Sequence, residues 1–305
     1  MPSPDQSEFL FVTAIDHRID FVRQIAGATD GSPTAADLER GAQLEGIVFA
    51  GLAAAVEAGL PKSQTAVWAE PELGEAVLLR GRGMSMPTIA SVERPNSGSF
   101  QLKNVLGFTE RLKKLDASFA GARFIHTVGG EISEKEANLQ TLRRLSEVSR
   151  SEGPPLLLEL MPSPRSLESG DITGPEGLLE SLRDLQDAGV EPAIWVFDAP
   201  ASKKMAATLA AQAHVDDRND LKVLFVIAQD PEKSIDTAAQ EKMLTQAART
   251  PGVSGILIGP GAYARVLRDY HTGKIGREET VEKIANAVGS IGKRFIDALA
   301  TSDIS

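Results

Sequence analysis

Carboxylates, imidazoles and guanidiniums recur where short apolar runs end, and those ends are where this sequence could do chemistry. "AIDHR" sets Asp16, His17 and Arg18 in a row. "AEPELG" supplies Glu70 and Glu72, and "VERPNSG" supplies Glu93 and Arg94. "ARFIHTV" carries His126, "PLLLELM" carries Glu159, and "AIWVFDAP" closes on Asp198. Gln229 and Asp230 follow "LKVLFVIA", and "IGPGAYARVL" holds Gly259 and Gly261. Asp16, His17, Glu93, Glu159 and Asp198 are the types that move protons or attack carbonyl carbon. Arg18, Glu70, Glu72, Arg94, His126, Gln229, Gly259 and Gly261 are the candidates for holding a substrate.

Each candidate also has a plainer reading. Glu159 interrupts an apolar run, where an unpaired buried carboxylate is costly. It is either paired with an arginine in the interior or an acid–base group in a pocket. The pocket is favoured, because perturbed polar groups gather at functional sites. His17 reads as an acid–base group, a metal ligand or a partner of Asp16. His126 has the same readings, plus that of a satisfied core histidine. His214 and His271 read as surface residues. Gly259 and Gly261 resemble the strand-to-helix turn that holds a phosphate on backbone N–H groups. Tight turns need glycine anyway.

The elements that must position these groups alternate along the chain. Strands are expected at 9–15, 65–70, 88–93, 122–128, 155–161, 193–199, 221–228 and 254–259. Helices are expected at 44–60, 108–119, 133–153, 176–189, 202–215, 237–250 and 276–300. A short helix broken by glycines is expected at 75–83. Ser133 and Glu136 read as a capping box, and Ser202 as an N-cap. The strands are near-continuously apolar, as in a sheet buried on both faces. The pattern predicts an α/β fold, a (β/α)8 TIM barrel in a single domain over residues 1–305. A doubly wound open sheet is the competitor. Active sites of such barrels form at the C-terminal strand ends. Within the sixth strand, alternation puts Val196 and Asp198 on one face and Trp195 and Phe197 on the other.

The chain has 305 residues, 42% of them hydrophobic and 24% charged, with net charge −10 and no cysteine. No basic block is available for a phosphate backbone, so a nucleic-acid partner is not expected. Disulfides, thiolate catalysis and cysteine-held zinc are excluded. No apolar run approaches the roughly 20 residues of a spanning helix, and "MPSPDQSE" does not read as a signal peptide. A cytoplasmic protein acting on a small molecule, with no membrane partner, is expected; homo-oligomerisation is left open.

Taken in order, the strand ends resemble a known family. "FVTAIDHRIDF", "AEPELG", "SVERPNSGSFQL", "LLLELMPSP", "LQDAGVEPAIWVFDAP" and "GILIGPGAYARVLRDYHTGKI" are similar to the class I aldolase-like barrels. These include tagatose-1,6-bisphosphate aldolase and the 2-deoxy-5-keto-gluconate-6-phosphate aldolase domain of inositol breakdown. The likeness spans about residues 9–299. It implies a lyase of carbohydrate or inositol catabolism that needs no cofactor. In that family a strand-six lysine forms a Schiff base that draws electrons from the breaking C–C bond. The matching position here is Val196, and the neighbouring glutamate matches Asp198. A family lysine reads as Arg94, and two family arginines read as Gln229 and Pro260. The Schiff-base amine and part of the phosphate-facing charge are therefore gone. Lys203 and Lys204, one loop beyond, read as a solvated helix turn. Three functions follow. One is an aldolase-like lyase on a sugar-derived or small oxo-acid substrate. Another is a divalent-metal-assisted lyase or isomerase using the same carboxylates, for which no metal-ligand spacing is present. The last is a non-catalytic binding barrel.

Overall fold

A computed structural model describes residues 9–15, 34–94, 100–103, 107–126, 132–162, 174–232 and 237–302. The apolar runs form β1 (Leu10–Ala14), β2 (Thr65–Ala69), β3 (Thr88–Ser91), β4 (Phe119–His126), β5 (Leu156–Pro162), β6 (Ile194–Asp198), β7 (Lys222–Ile227) and β8 (Gly255–Ile258). They close in chain order into a barrel of parallel strands, as the alternating pattern predicts. The helices are α1 (Ala35–Glu57), α2 (Pro71–Gly83), α3 (Phe108–Leu115), α4 (Ile132–Ser151), α5 (Gly174–Asp187), α6 (Lys203–Ala213), α7 (Thr237–Arg249), α8 (Ala264–His271) and α9 (Arg277–Ser302). Among the described residues, no helix is long and apolar enough to cross a membrane.

Several boundaries differ from expectation for local reasons. Helix α1 starts well before its apolar stripe, because Thr34 and Asp37 form a reciprocal capping box ahead of polar, solvent-facing turns. Helix α2 is unbroken by its glycines. Gly81 is a packing residue: a Cβ there would lie 3.0 Å from Thr88 Cγ2 and 3.1 Å from Val67 Cγ1. Helix α3 ends at Leu115, because Asp116 turns left-handed (φ 50°), which frees residues 119–121 to begin β4. Helix α4 begins at Ile132, so Ser133 lies inside its first turn rather than capping it. Ser202 does cap α6, accepting from the Met205 N–H.

Contacts group the chain into two compact units: Met1–Ser91 with Val226–Arg249 and Ile256–Ser305, and Val92–Phe225 with Thr250–Gly255. In the first, α9 packs on α1, and Gly51 permits the approach: a Cβ would fall 2.5 Å from Ile284 Cγ2. Phe295 meets Phe9 and Phe11 edge to face. In the second, the core is built on β4–β6, where Leu157, Leu158, Leu160, Trp195 and Phe197 are buried. Trp195 and Phe197 stack with centroids 5.9 Å apart, on one face of β6 as alternation requires.

Candidate active site on β4–β6

Strand register decides which strand-end groups meet. Arg123, Glu159 and Val196 are direct partners across β4, β5 and β6; Phe124, Leu160 and Phe197 form the next row. Successive side chains alternate in direction, so these two rows point to opposite faces. His126 shares the face of Phe124, and its Nε2 lies 2.9 Å from Asp184 Oδ2 on α5. That face is therefore the helix-covered one, and Arg123, Glu159 and Val196 point inward.

Arg123 Nε donates to Glu159 Oε2 at 2.5 Å, with Glu159 1% exposed and Arg123 13%. The plainer reading of Glu159, a carboxylate paired with an interior arginine, is met by this geometry. Glu93, also buried, grips the same arginine from the other side: its Oε1 accepts the Arg123 backbone N–H at 3.2 Å. The ladder explains why. Val92 N–H donates to Gly121 O, but Val92 O accepts from Lys103. In a continued parallel ladder Arg123 N–H would take that carbonyl; here the Glu93 side chain replaces it. Beyond Glu93 the chain pairs back on itself, Glu93 against Leu102, with Arg94 N–H donating to Gln101 O. The Arg94 side chain is exposed.

Asp198 follows Val196 by two residues and shares its face. Burial, helped by the negative charge of Glu159, pushes its carboxyl up from 3.8 to about 6. Such a group exchanges protons near neutral pH, where a general acid–base residue works best. Val196 is fully buried. One step beyond the Arg123–Glu159 pair, Ile125 faces Met161 in register. Ile125 is 48% exposed and Met161 half-buried. An apolar rim thus borders a charged floor, as in small-molecule sites.

His126 stands apart from this group. Burial holds its imidazole below the usual histidine range despite the Asp184 carboxylate, so it is a neutral ring among helices. Lys135 Nζ, 2.6 Å from the same Asp184 oxygen, completes that cluster. Lys203 and Lys204 are exposed in the first turn of α6, as a solvated helix turn.

The remaining candidates lie in the other unit. Glu70 caps α2, accepting the N–H groups of Glu72 and Leu73 at 2.9 and 3.2 Å. Glu72 is exposed in the first turn of that helix. Gly259 N–H donates to Ile227 O and Gly261 N–H to Ala228 O, both at 2.8 Å. A Cβ on Gly259 would come within 2.7 Å of Ala228 O and of Gln229 Oε1. The turn's glycines thus serve close backbone approach, and those two N–H groups are spent on the end of β7. Asp16, His17 and Arg18 lie outside the described residues. Among the described residues, no three acidic or imidazole side chains gather as metal ligands. Arg123, Ile125 and Met161 are the members sequence reasoning missed. An arginine three positions before His126, and so on the opposite face of the same strand, was the available signal.

Comparisons with known proteins agree with this architecture. The chain is similar to a solved structure of an archaeal fructose 1,6-bisphosphate aldolase, at TM-score 0.53 and 16% identity, covering 93% of this chain and 94% of that one. A second archaeal fructose-1,6-bisphosphate aldolase structure has its catalytic Lys covalently bound to the carbinolamine intermediate of the substrate. It matches at TM-score 0.52 and 16% identity, over 92% of this chain and 94% of that one. At such identity the likeness is one of fold. No curated protein sequence matches. The family model described as "Uncharacterized protein conserved in bacteria (DUF2090)" matches residues 2–296. The chain belongs to the DUF2090 family and builds it on an aldolase-like (β/α)8 barrel.

Proposed function

We propose that this protein is a carbon–carbon lyase of aldolase type that works without a strand-six Schiff-base lysine, on a sugar-derived or small oxo-acid substrate. What carries the reading is the placement of Asp198, half-buried on the inward face of β6 with Val196, where burial and the charge of Glu159 push its carboxyl up to about 6. In the cleavage direction, the Asp198 carboxylate takes the proton of the substrate's β-hydroxyl. That oxygen becomes a carbonyl as the C–C bond breaks, and the electron pair passes to the original carbonyl as an enolate. Arg123 is the cation fixed on the same face, and the protonated Asp198 returns its proton to the enolate carbon. Val196 supports the absence of an iminium step, since it occupies the position where the resembled tagatose-1,6-bisphosphate aldolase family carries its amine. The proposed role is in carbohydrate or inositol catabolism, in the cytoplasm.

The test is carbon-13 NMR of the protein with a panel of β-hydroxy oxo-acids and phosphorylated ketoses, with and without borohydride. Cleavage by the wild type is expected, with loss of about 10²–10⁴-fold in Asp198→Asn and no borohydride-trapped adduct. In Val196→Lys, an adduct on the introduced amine is expected. A lysine adduct in the wild type, or binding without turnover across the panel, overturns the reading.

A further inference from the structure

Helix α9 carries two stripes. Ile284, Val288, Ile291 and Phe295 are buried, the spacing of a core-facing side. Lys283, Asn286, Ser290 and Arg294, at the same helical spacing, line a cleft of about 540 Å³. Its other walls come from α7, through Gln240, and from α8, through Arg265 and Arg268. Among the described residues, four cations line this cleft against one carboxylate, Glu232. On a chain of net charge −10, such a concentration of positive charge opposes the overall field, and repulsion among the cations costs stability.

The cations are held in graded ways. Arg268 is fixed: Nη1 donates to Glu232 Oε1 at 2.6 Å and Nη2 to Pro231 O at 2.9 Å. Lys283 pairs with Glu279 at 2.9 Å, both half exposed, and Arg294 sits 3.8 Å from Glu241. Exposed pairs of this kind contribute little and are readily exchanged for a stronger anion. Arg265 is exposed. Guanidinium forks suit phosphate oxygens in bidentate geometry. Apolar atoms of Ala262 and Ala287 also face the cleft, and the volume matches a small-molecule site.

We propose that this cleft binds a small organic molecule bearing two or more phosphate groups, with Arg265 and Lys283 closing on it and Arg268 and Arg294 as its floor. The site lies wholly within one compact unit and is independent of the lyase reading. Titration calorimetry of the full chain with pyrophosphate and with a nucleoside diphosphate, at low ionic strength, tests it. Saturable one-to-one binding is expected, about tenfold or more tighter than inorganic phosphate and weakening as salt rises. The double change Arg265→Glu, Lys283→Glu should weaken it about tenfold or more, and Arg265→Gln, Lys283→Gln should do so without charge reversal. Lys293→Glu removes as much positive charge as the double glutamine variant but lies outside the cleft on α9, and should stay within about twofold. Failure of both probes to saturate overturns the proposal. So does equal weakening by Lys293→Glu and the cleft variants, which would mark a diffuse field only.

Discussion

Replacing Asp198 with asparagine removes a carboxyl that the fold keeps reluctantly ionised. Its pKa rises from 3.8 to about 6 because burial disfavours the charge and Glu159 repels it. At about 1.4 kcal/mol per tenfold change in proton affinity, that difference is worth about 3 kcal/mol. The sign follows from proton counting. Between those two values the folded chain binds the proton more tightly than the unfolded chain, so stability falls as pH rises through the window. Below it both states are protonated and the group is neutral to stability; above it the full penalty stands. Asparagine carries no charge at any pH. Its stability relative to wild type should therefore improve by up to about 3 kcal/mol between about pH 4 and about pH 8. Denaturant unfolding of both proteins at the two pH values measures this, and carbon-13 NMR of the carboxyl gives the midpoint directly. A carboxyl titrating near 3.8, or a stability difference that does not change with pH, would refute the reasoning. Lyase activity, once a substrate is in hand, should fall on the acid side with the same midpoint.

Arg123→Met strands the Glu159 carboxylate in the interior. A loss of about 3–5 kcal/mol at neutral pH is expected, with much of it recovered when Glu159→Leu is added, as read by denaturant unfolding; strictly additive losses would contradict a coupled pair. Gly261→Ala would set a Cβ 2.6 Å from Asp230 O and 2.8 Å from Ala228 O. It should cost about 1–3 kcal/mol, whereas Gly289→Ala, whose nearest neighbour would be Ala55 Cβ at 3.7 Å, should be neutral or stabilising by up to about 1 kcal/mol; thermal unfolding separates them.

Local patterns carried a good part of this protein. A strand's apolar run and a helix's stripe are properties of a few consecutive residues, so the order of elements and the barrel were legible before any coordinates. The alternation that puts Val196 and Asp198 on one face of β6, opposite Trp195 and Phe197, was legible for the same reason. Where local reading failed, a local contact usually explains it. Gly81 looked like a helix breaker but is a packing residue against Val67 and Thr88. Ser133 looked like a cap but sits one residue inside α4.

The site is another matter, because its chemistry depends on which strands lie side by side and at what register. Arg123 and Glu159 are 36 residues apart, and nothing in either segment names the other. The Glu93 carboxylate finds Arg123 only because Lys103 has taken the Val92 carbonyl. His126 looked equivalent to the inward groups, yet one position along β4 turns it to the helices and Asp184. The sequence alone determined that carboxylates stand at strand ends and that a valine precedes Asp198 on its face. Tertiary structure alone decided that Glu159 is paired with an arginine while the Asp198 carboxyl, with no such cation among the described residues, is pushed up to about 6. Burial and the charge of a neighbouring strand set that difference, and both are long-range quantities that no short stretch of sequence encodes.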